Sequence, residues 1–542
     1  MSVIIDTVLV TFKLATPVLY KGKLLGVTFL VAVLLVAQFH RARAAISFLV
    51  RRIHGVLYLF SGPKLIDRAY NRAQGKPFKV STPSNDHLFI TSTSLIKELI
   101  NAPSQHLSLH AVAKEVYDAK IHTQQPAHLT KRQILQPKYT MCGFEVQDHR
   151  GTEGTGYVRA LRSLLTSHLP KFQPHLEDIV KNALLTGLRD VQSDGIEANW
   201  FAHAKIFPLM KTLVTRVNCF VFFGEELSQN TEFTTAALDF PQDVAFAAEL
   251  LRITPEFMRP LVASIATNRH KAATTIYRYL VPIIEQRLAV RGLRSNEATP
   301  MDCMQWLIDN SPRKNPWTPA KIVGEIMAVW FGSVHQLAMT STYAIQDLCL
   351  HPEYVEPLAV EIRDCFHAED FPRDVERLPL LDSFIKESVR NSNFDAISCR
   401  RKALIPYTFQ DGSSLNKGDW ACIPQRAMMQ DSTRYRDPQT FDGFRFAHYN
   451  ARHQQHKQSI DIPGQKESKF TDATLDWPIW GLGNASCPGR FYASLVAKLI
   501  LISILEDWEC KILDLEAPRS MTWRSSIVPR SSTIIMFRKR YI

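Results

Sequence analysis

Trp480-Gly481-Leu482-Gly483-Asn484-Ala485-Ser486-Cys487-Pro488-Gly489 is a glycine-rich turn that delivers one cysteine to the head of a long apolar run. Pro488 suits the first position of a helix, where its missing N–H costs nothing. Gly481, Gly483 and Gly489 let the backbone come close to a flat ligand. A sulfur at such a helix N-terminus lies among unpaired N–H groups, which favour thiolate over thiol. Cys487 is therefore a candidate iron ligand. Taken alone, such a cysteine is more often a small buried hydrophobe, so the surrounding spacing has to decide.

An aromatic seven residues before the cysteine (487 − 480), a glycine four before it and a glycine two after it resemble the haem-binding loop of the cytochrome P-450 monooxygenases. A second resemblance lies upstream in Phe384-Ile385-Lys386-Glu387-Ser388-Val389-Arg390, the Glu-x-x-Arg pair of that family. Without context, Glu387 and Arg390 read as an exposed ion pair on one helical face. The third element, an arginine in a Phe- and Pro-rich loop, is Arg445 in Pro438-Gln439-Thr440-Phe441-Asp442-Gly443-Phe444-Arg445-Phe446. The resemblance makes Glu387, Arg390 and Arg445 a structural network. It implies haem b with Cys487 as axial thiolate and as the only metal ligand from the chain. Trp480, in place of the usual phenylalanine, would shield the sulfur, while Gly483 and Gly489 give the haem room. Ala485 stands where the family usually has Arg or His, so one propionate contact is missing. Arg400, ten residues after Arg390 (400 − 390), is the expected propionate cation, and Arg401 beside it could substitute. No clear Trp-x-x-x-Arg occurs around residues 155 to 169.

The chain of 542 residues, 46% hydrophobic, is long enough for a large core. Its 9 cysteines are scattered without zinc-site pairs or disulfide density, which points to a reducing compartment. A formal charge of +12 suits an anionic membrane or an acidic partner. No basic run or binding module points to nucleic acid.

Leu24 to Phe39 is apolar except for Thr28 and Gln38, and is followed by His40-Arg41-Ala42-Arg43. This reads as a single-pass membrane anchor. It falls short of the roughly 20 residues that span the hydrocarbon, so flanking Lys21, Lys23 and Arg41 would snorkel. Arg41, Arg43, Arg51 and Arg52 outweigh Lys13, Lys21 and Lys23, which puts the body in the cytosol. The rival is a cleaved signal peptide around Ala42-Arg43-Ala44, disfavoured by the arginines. The one glycosylation sequon, Asn484-Ala485-Ser486, lies inside the proposed haem loop and is harmless only in the cytosol. The expected organisation is a tail over 1–23, which either lies along the interface or forms a further membrane segment, an anchor over 24–43, a linker over 44–61 and one catalytic domain over 62–542.

Phe78-Lys79-Val80 and Leu88-Phe89-Ile90, separated by Pro83 and Asn85-Asp86, read as a hairpin. From about 155 to 390 the pattern is mainly helical. The fold class is mainly α with a small β region (α+β), and the resemblance makes it the cytochrome P-450 fold. Thr318-Pro319 starts a helix whose apolar pattern runs to His351-Pro352. At 1.5 Å per residue it would cover about 50 Å, as the helix over the distal haem face does in this family. Gly332-Ser333 is its expected point of bending or water entry. The family pattern there, Ala/Gly-Gly-x-Asp/Glu-Thr, is replaced: Ser333 for glycine, His335 for the acid, Gln336 for the threonine. Proton delivery would run through His335, Gln336 and water, with Thr340 one turn further in reserve. The alternative is that His335 and Gln336 only satisfy one another or the backbone of a buried helix.

The resemblance nominates Leu107 to Thr123, Phe394 to Ser398 and Ser525 to Pro529 as the substrate pocket. Phe394, Ala396 and Ile397 would line it, with Asp395 orienting a hydroxyl or a cation. The style of the sequence resembles filamentous-fungal members that decorate terpenoids and other secondary metabolites. The implied activity is insertion of one oxygen atom into a hydrophobic small molecule at the endoplasmic reticulum membrane. Electrons would come from NADPH through a flavoprotein reductase, with cytochrome b5 as an auxiliary donor. Alternatives are a member that catalyses desaturation or rearrangement, and a non-enzymatic haem-binding membrane protein.

Overall fold

The apolar run after Cys487 becomes a helix without a polar face: within Arg490–Asp507 every side chain from Ser494 to Leu505 is buried. A helix that is apolar all round belongs at the centre of a large core. The one charged residue of that buried run, Lys498, is 1% exposed and is neutralised by Asp382 at 2.9 Å.

The structure, a computed structural model, describes residues 53–83, 85–113, 160–189, 202–290, 300–311, 316–366, 373–457 and 467–540. The expected anchor over 24–43, with the tail before it, lies outside the described residues, as does the loop from 114 to 123. A first unit ends at Leu57, of which 53–57 is described and helical; all that follows concerns the second, Tyr58–Ile542.

Eight helices position the site: α1 (Thr166–Arg189), α2 (Ile206–Phe223), α3 (Thr231–Ile253), α4 (Lys271–Ala289), α5 (Pro319–Trp330), α6 (His335–Leu350), α7 (Pro379–Asn391) and α8 (Arg490–Asp507). Helix α6 packs on α2, α7 and α8, and α8 in turn on α1. Among the described residues two segments, α2 and α5 with α6, are long and apolar enough to cross a membrane, but most of each is buried inside the protein.

Among the described strands, β1 (Phe78–Ser81), β2 (Asp86–Phe89), β3 (Leu107–Ser108), β4 (Ala202–Lys205), β5 (Ser398–Ala403), β6 (Tyr407–Thr408), β7 (Ser414–Leu415), β8 (Trp420–Ile423), β9 (Trp508–Ile512), β10 (Ser520–Trp523), β11 (Ser526–Pro529) and β12 (Ile534–Lys539) form small sheets. The largest has the order β1-β2-β8-β5-β3. The expected hairpin is β1–β2, antiparallel with Phe78 opposite Phe89. Strand β5 carries an irregularity between Ser398 and Arg401, with Cys399 at φ 50°. A bulge of this kind re-aims side chains.

The distal helix departs from the expected continuous rod. It starts as expected, with the Thr318 side chain accepting from Lys321 N–H and Pro319 in the first turn. It then breaks over 331–334. Trp330 O, which a continuous helix would give to Val334, accepts from Ser333 N (3.0 Å) and Ser333 Oγ (2.9 Å). The Gly332-Ser333 pair supplies the freedom and the competing hydroxyl that break a ladder.

Asp347, late in α6, is fully buried and accepts the Ser388 hydroxyl of α7 at 2.6 Å. Burial pushes its carboxyl up to about 7. The folded state therefore holds a proton that the unfolded chain releases near pH 4, and stability from this group is lost as pH rises through about 7. Asp347→Asn should raise the melting temperature relative to wild type at pH 8, by the equivalent of roughly 1–2 kcal/mol, and give little gain at pH 4. Parallel thermal melts at the two pH values check this.

Candidate active site

Cys487 sits in the turn just ahead of α8, which begins at Arg490 with Gly489 as cap. Pro488 thus lies in the preceding turn rather than at the first helical position. The Cys487 N–H donates to Trp480 O at 2.6 Å, which closes the loop on itself. Gly481 lies at φ 74°, and a Cβ there would stand 3.0 Å from Ala485 O, so this turn requires glycine. The Gly489 N–H donates to the sulfur, and Arg490 and Arg162 add positive charge, yet burial dominates and pushes the thiol above its ordinary value. The helix terminus alone does not hold a free thiolate here. A bound metal ion would remove the proton.

Both indoles of the loop point to one acceptor. Trp480 Nε1 donates to Phe470 O at 2.7 Å and Trp477 Nε1 to the same oxygen at 3.0 Å. Segment 468–472 is itself held by α7. Lys386 Nζ donates to Lys469 O (2.6 Å) and Ser468 Oγ (2.8 Å), and Phe470 N–H donates to Asp382 at 2.8 Å. The Lys386 cation lies 4.7 Å from the ring centres of both Phe446 and Trp477. Burial lowers it to about 8.

Glu387, Arg390 and Arg445 come together as one cluster. Arg390 Nε and Nη2 grip the Glu387 carboxylate at 2.7 and 2.8 Å, and both side chains have 0% exposure. Arg445 Nε reaches Glu387 Oε2 at 3.1 Å, and Asp442 N–H reaches Oε1 at 3.0 Å. The guanidinium groups spend their other N–H bonds on the carbonyls of Met429, Pro438 and Thr440 for Arg390, and of Arg436, Asp437 and Thr440 for Arg445.

Strand β5 lies along the cysteine loop. Ser398 Oγ donates to Pro478 O at 2.6 Å, and Cys399 packs in one cluster with Leu482. Arg400 is engaged elsewhere, with Asp395 at 2.5 Å and Ser525 Oγ at 3.2 Å. Arg401 is 6% exposed and donates to Arg400 O at 2.9 Å, with no carboxylate partner among the described residues. A buried cation without a counter-ion suits an anionic group such as a propionate. Arg162, in a π-helical turn ahead of α1, donates to Asn484 O (2.5 Å) and Ser486 O (3.3 Å). Sequence reasoning missed it, because no tryptophan stands four residues before it. The sulfur donor, the glycine turns and the lone buried Arg401 fit a haem with an axial thiolate.

On the distal side, Gly332 in the break and Gln336 in the first turn of α6 are exposed, and Thr340, one turn after Gln336 on the same face of α6, is buried. His335, half-buried beside Gln336, feels the charge of Lys211 of α2. Burial, and then the Lys211 charge, push it down to about 4, so it is neutral above pH 5. Ala396 and Ile397 pack with Tyr58, Phe89 and Trp420, which leaves Phe394 as the more accessible of the three expected pocket residues. Phe394 O accepts from Ile527 N and Ala396 N donates to Ser525 O, both at 2.8 Å, so this segment is fastened to the β10–β11 hairpin. Asp395 is occupied by Arg400 and by Ile397 N–H.

The cysteine loop, the buried Glu–Arg–Arg cluster and the long distal helix on a mainly helical body define a haem-thiolate protein. Residues 153–537 match the family model described as Cytochrome P450, and the chain belongs to that family. It is 26% identical over 496 residues to the cytochrome P450 monooxygenase paxP of Penicillium paxilli, covering 88% of this chain and 86% of the relative. It is 28% identical over 425 residues to an ent-kaurene oxidase of Gibberella intermedia, covering 76% and 77%. In fold it resembles a cyanobacterial P450 bound to retinoic acid, with TM-score 0.63, 17% identity and coverage of 90% and 96%. The chain is a cytochrome P450 monooxygenase with fungal relatives.

Removing one partner from a buried ion cluster strands the other and costs roughly 3–5 kcal/mol. Glu387→Gln and Arg390→Leu should each lower the melting temperature sharply and reduce haem retained after purification, read as the Soret-to-protein absorbance ratio. Arg445→Leu, partly exposed at 14%, should do so less.

Proposed function

We propose that this chain inserts one oxygen atom from O2 into a hydrophobic small molecule of the terpenoid type made in fungal secondary metabolism. Two electrons arrive singly from NADPH through a flavoprotein reductase, with cytochrome b5 as an auxiliary donor. The similarity to a named ent-kaurene oxidase supports an apolar, polycyclic substrate class. The apolar run over 24–39 and its downstream arginines support an endoplasmic reticulum anchor with a cytosolic body.

When bound, haem b supplies the redox centre at which dioxygen is activated. The chain's residues have separate tasks around it. Cys487 would hold the haem iron through its sulfur, and the Trp480 carbonyl, which accepts the Cys487 N–H, holds its backbone. Gly483 and Gly489 leave room for the macrocycle. Arg401, with Arg162 and the Asp395-bound Arg400 nearby in sequence or loop, supplies positive charge for the propionates. Exposed Gln336 and, one turn further in, buried Thr340 order water for proton delivery through amide and hydroxyl groups. His335, held neutral, acts through its ring N–H rather than by changing charge. Phe394 contributes an apolar wall beside the β10–β11 hairpin.

The observation that carries this reading is the Cys487 sulfur, removed from water and facing the Gly489 N–H, in a loop whose turn at Gly481 requires glycine. A second reading, oxidation that ends in desaturation or rearrangement, is favoured by Gln336 in place of a hydroxyl residue. Labelled dioxygen distinguishes the two: a product carrying the label supports insertion, and an unlabelled product supports the second reading.

Microsomes containing the wild-type chain should show the red-shifted Soret band of thiolate ligation in the reduced, carbon-monoxide-treated difference spectrum. Cys487→Ser should abolish that band at comparable protein level. A wild-type band at the position of a neutral ligand, under several mild conditions, would overturn the assignment.

A further inference from the structure

The break in the distal helix is held from outside by a buried strut that spans three elements. Ser333 O, which a continuous helix would give to Leu337, accepts from Asn218 Nδ2 of α2 at 3.0 Å. Asn218 Oδ1 accepts from the Tyr492 hydroxyl of α8 at 2.8 Å. Asn218 has 0% exposure and Tyr492 6%. The amide has only one sensible orientation: a carbonyl can only accept, so the NH2 end faces Ser333 and the oxygen end requires the tyrosine as donor. Every polar atom in the chain from Tyr492 to Ser333 is thereby satisfied, which is what a buried network needs to specify one geometry.

We propose that Asn218, oriented by Tyr492, is a positioning residue that fixes where the distal helix breaks relative to the cysteine. Tyr492 lies in the first turn of α8, five residues past Cys487 (492 − 487). Asn218 lies on the face of α2 that also carries Lys211, beside His335, and buried Thr215. Helix α6 restarts immediately after the break, so the break's place sets the phase of the whole helix and the direction in which Gln336 and Thr340 face. A helix that resumed its ladder one residue earlier or later would turn that stripe by about 100°. The strut thus fixes the proximal sulfur and the distal stripe to one frame. This rests on the haem-thiolate reading for its functional half but not for its geometry.

The test uses the full chain with Tyr492→Phe, which deletes one oxygen, and Asn218→Leu, of similar size. Hydrogen exchange is measured on peptides covering 331–338, in ferric protein and in protein stripped of haem. Both variants should exchange there roughly tenfold faster, while other segments stay within the wild-type range. Imidazole, titrated by its Soret shift, should change its dissociation constant by at least about threefold. The reduced carbon-monoxide band should remain that of a thiolate. Unchanged exchange at 331–338 in Tyr492→Phe would overturn the strut, and that variant decides alone if Asn218→Leu does not fold. Faster exchange spread over the whole chain with a lowered melting temperature would reduce both residues to ordinary packing. Local loosening with unchanged imidazole binding would refute the distal role. Loss of the thiolate band in wild type would instead count against the haem reading and leave the exchange comparison in stripped protein intact.

Discussion

A carboxylate with no exposed surface, Glu387, is the constraint from which much of this protein follows. Its desolvation is tolerable only because two guanidinium groups and the Asp442 N–H surround it. Those guanidiniums in turn bind five backbone carbonyls between Met429 and Thr440, which fastens an irregular stretch of chain to α7. From the same helix, Lys386 and Asp382 fasten 468–472, and Phe470 O then fixes both indoles of the cysteine loop. The cysteine's place is the end of this sequence of bonds. A long loop without regular structure becomes a precise one because several of its carbonyls are held by donors from buried side chains.

The electrostatics of the site divide the work between helix terminus and burial. Backbone and arginine groups near Cys487 favour the thiolate, but removal from water outweighs them, so the free group is a thiol and the ligand form depends on the metal. Arg401 is the converse case, a cation whose burial is unrelieved by any described carboxylate. Its placement comes from the irregularity in β5, where Cys399 adopts a positive φ and the alternation of the strand is interrupted. Strain of this sort persists where surrounding contacts over-determine it, here Ser398 on Pro478 and Cys399 against Leu482.

The distal helix shows how tertiary contacts choose among options that a sequence leaves open. Gly332 and Ser333 permit a bend anywhere within a turn. Asn218 settles it by taking the Ser333 carbonyl, and Tyr492 settles Asn218. The direction in which exposed Gln336 and buried Thr340 face along α6 is a consequence of that choice.

What the sequence by itself determined was what rests on short-range spacing. The glycines and proline around Cys487, the three-residue interval between Glu387 and Arg390, the order of Arg445 after them and the β1–β2 hairpin all follow from local backbone rules, and together they made the family legible. Lys386 could not be read, because beside Glu387 it looks like any solvated lysine, and only packing between Phe446 and Trp477 buries it. Arg400 and Arg401 are equivalent in the chain, and a one-residue irregularity in β5 separates an ion-paired arginine from a lone one. Ala396 and Ile397 have the composition of a pocket wall, but their contacts with Tyr58 and Trp420 place them in a core cluster. The break of the distal helix and the strut beneath it join residues 115 and 274 positions apart (333 − 218 and 492 − 218), a distance over which no periodicity in the sequence carries information. Local rules specify which groups are available; burial and the need to pair every buried polar atom decide which of them meet.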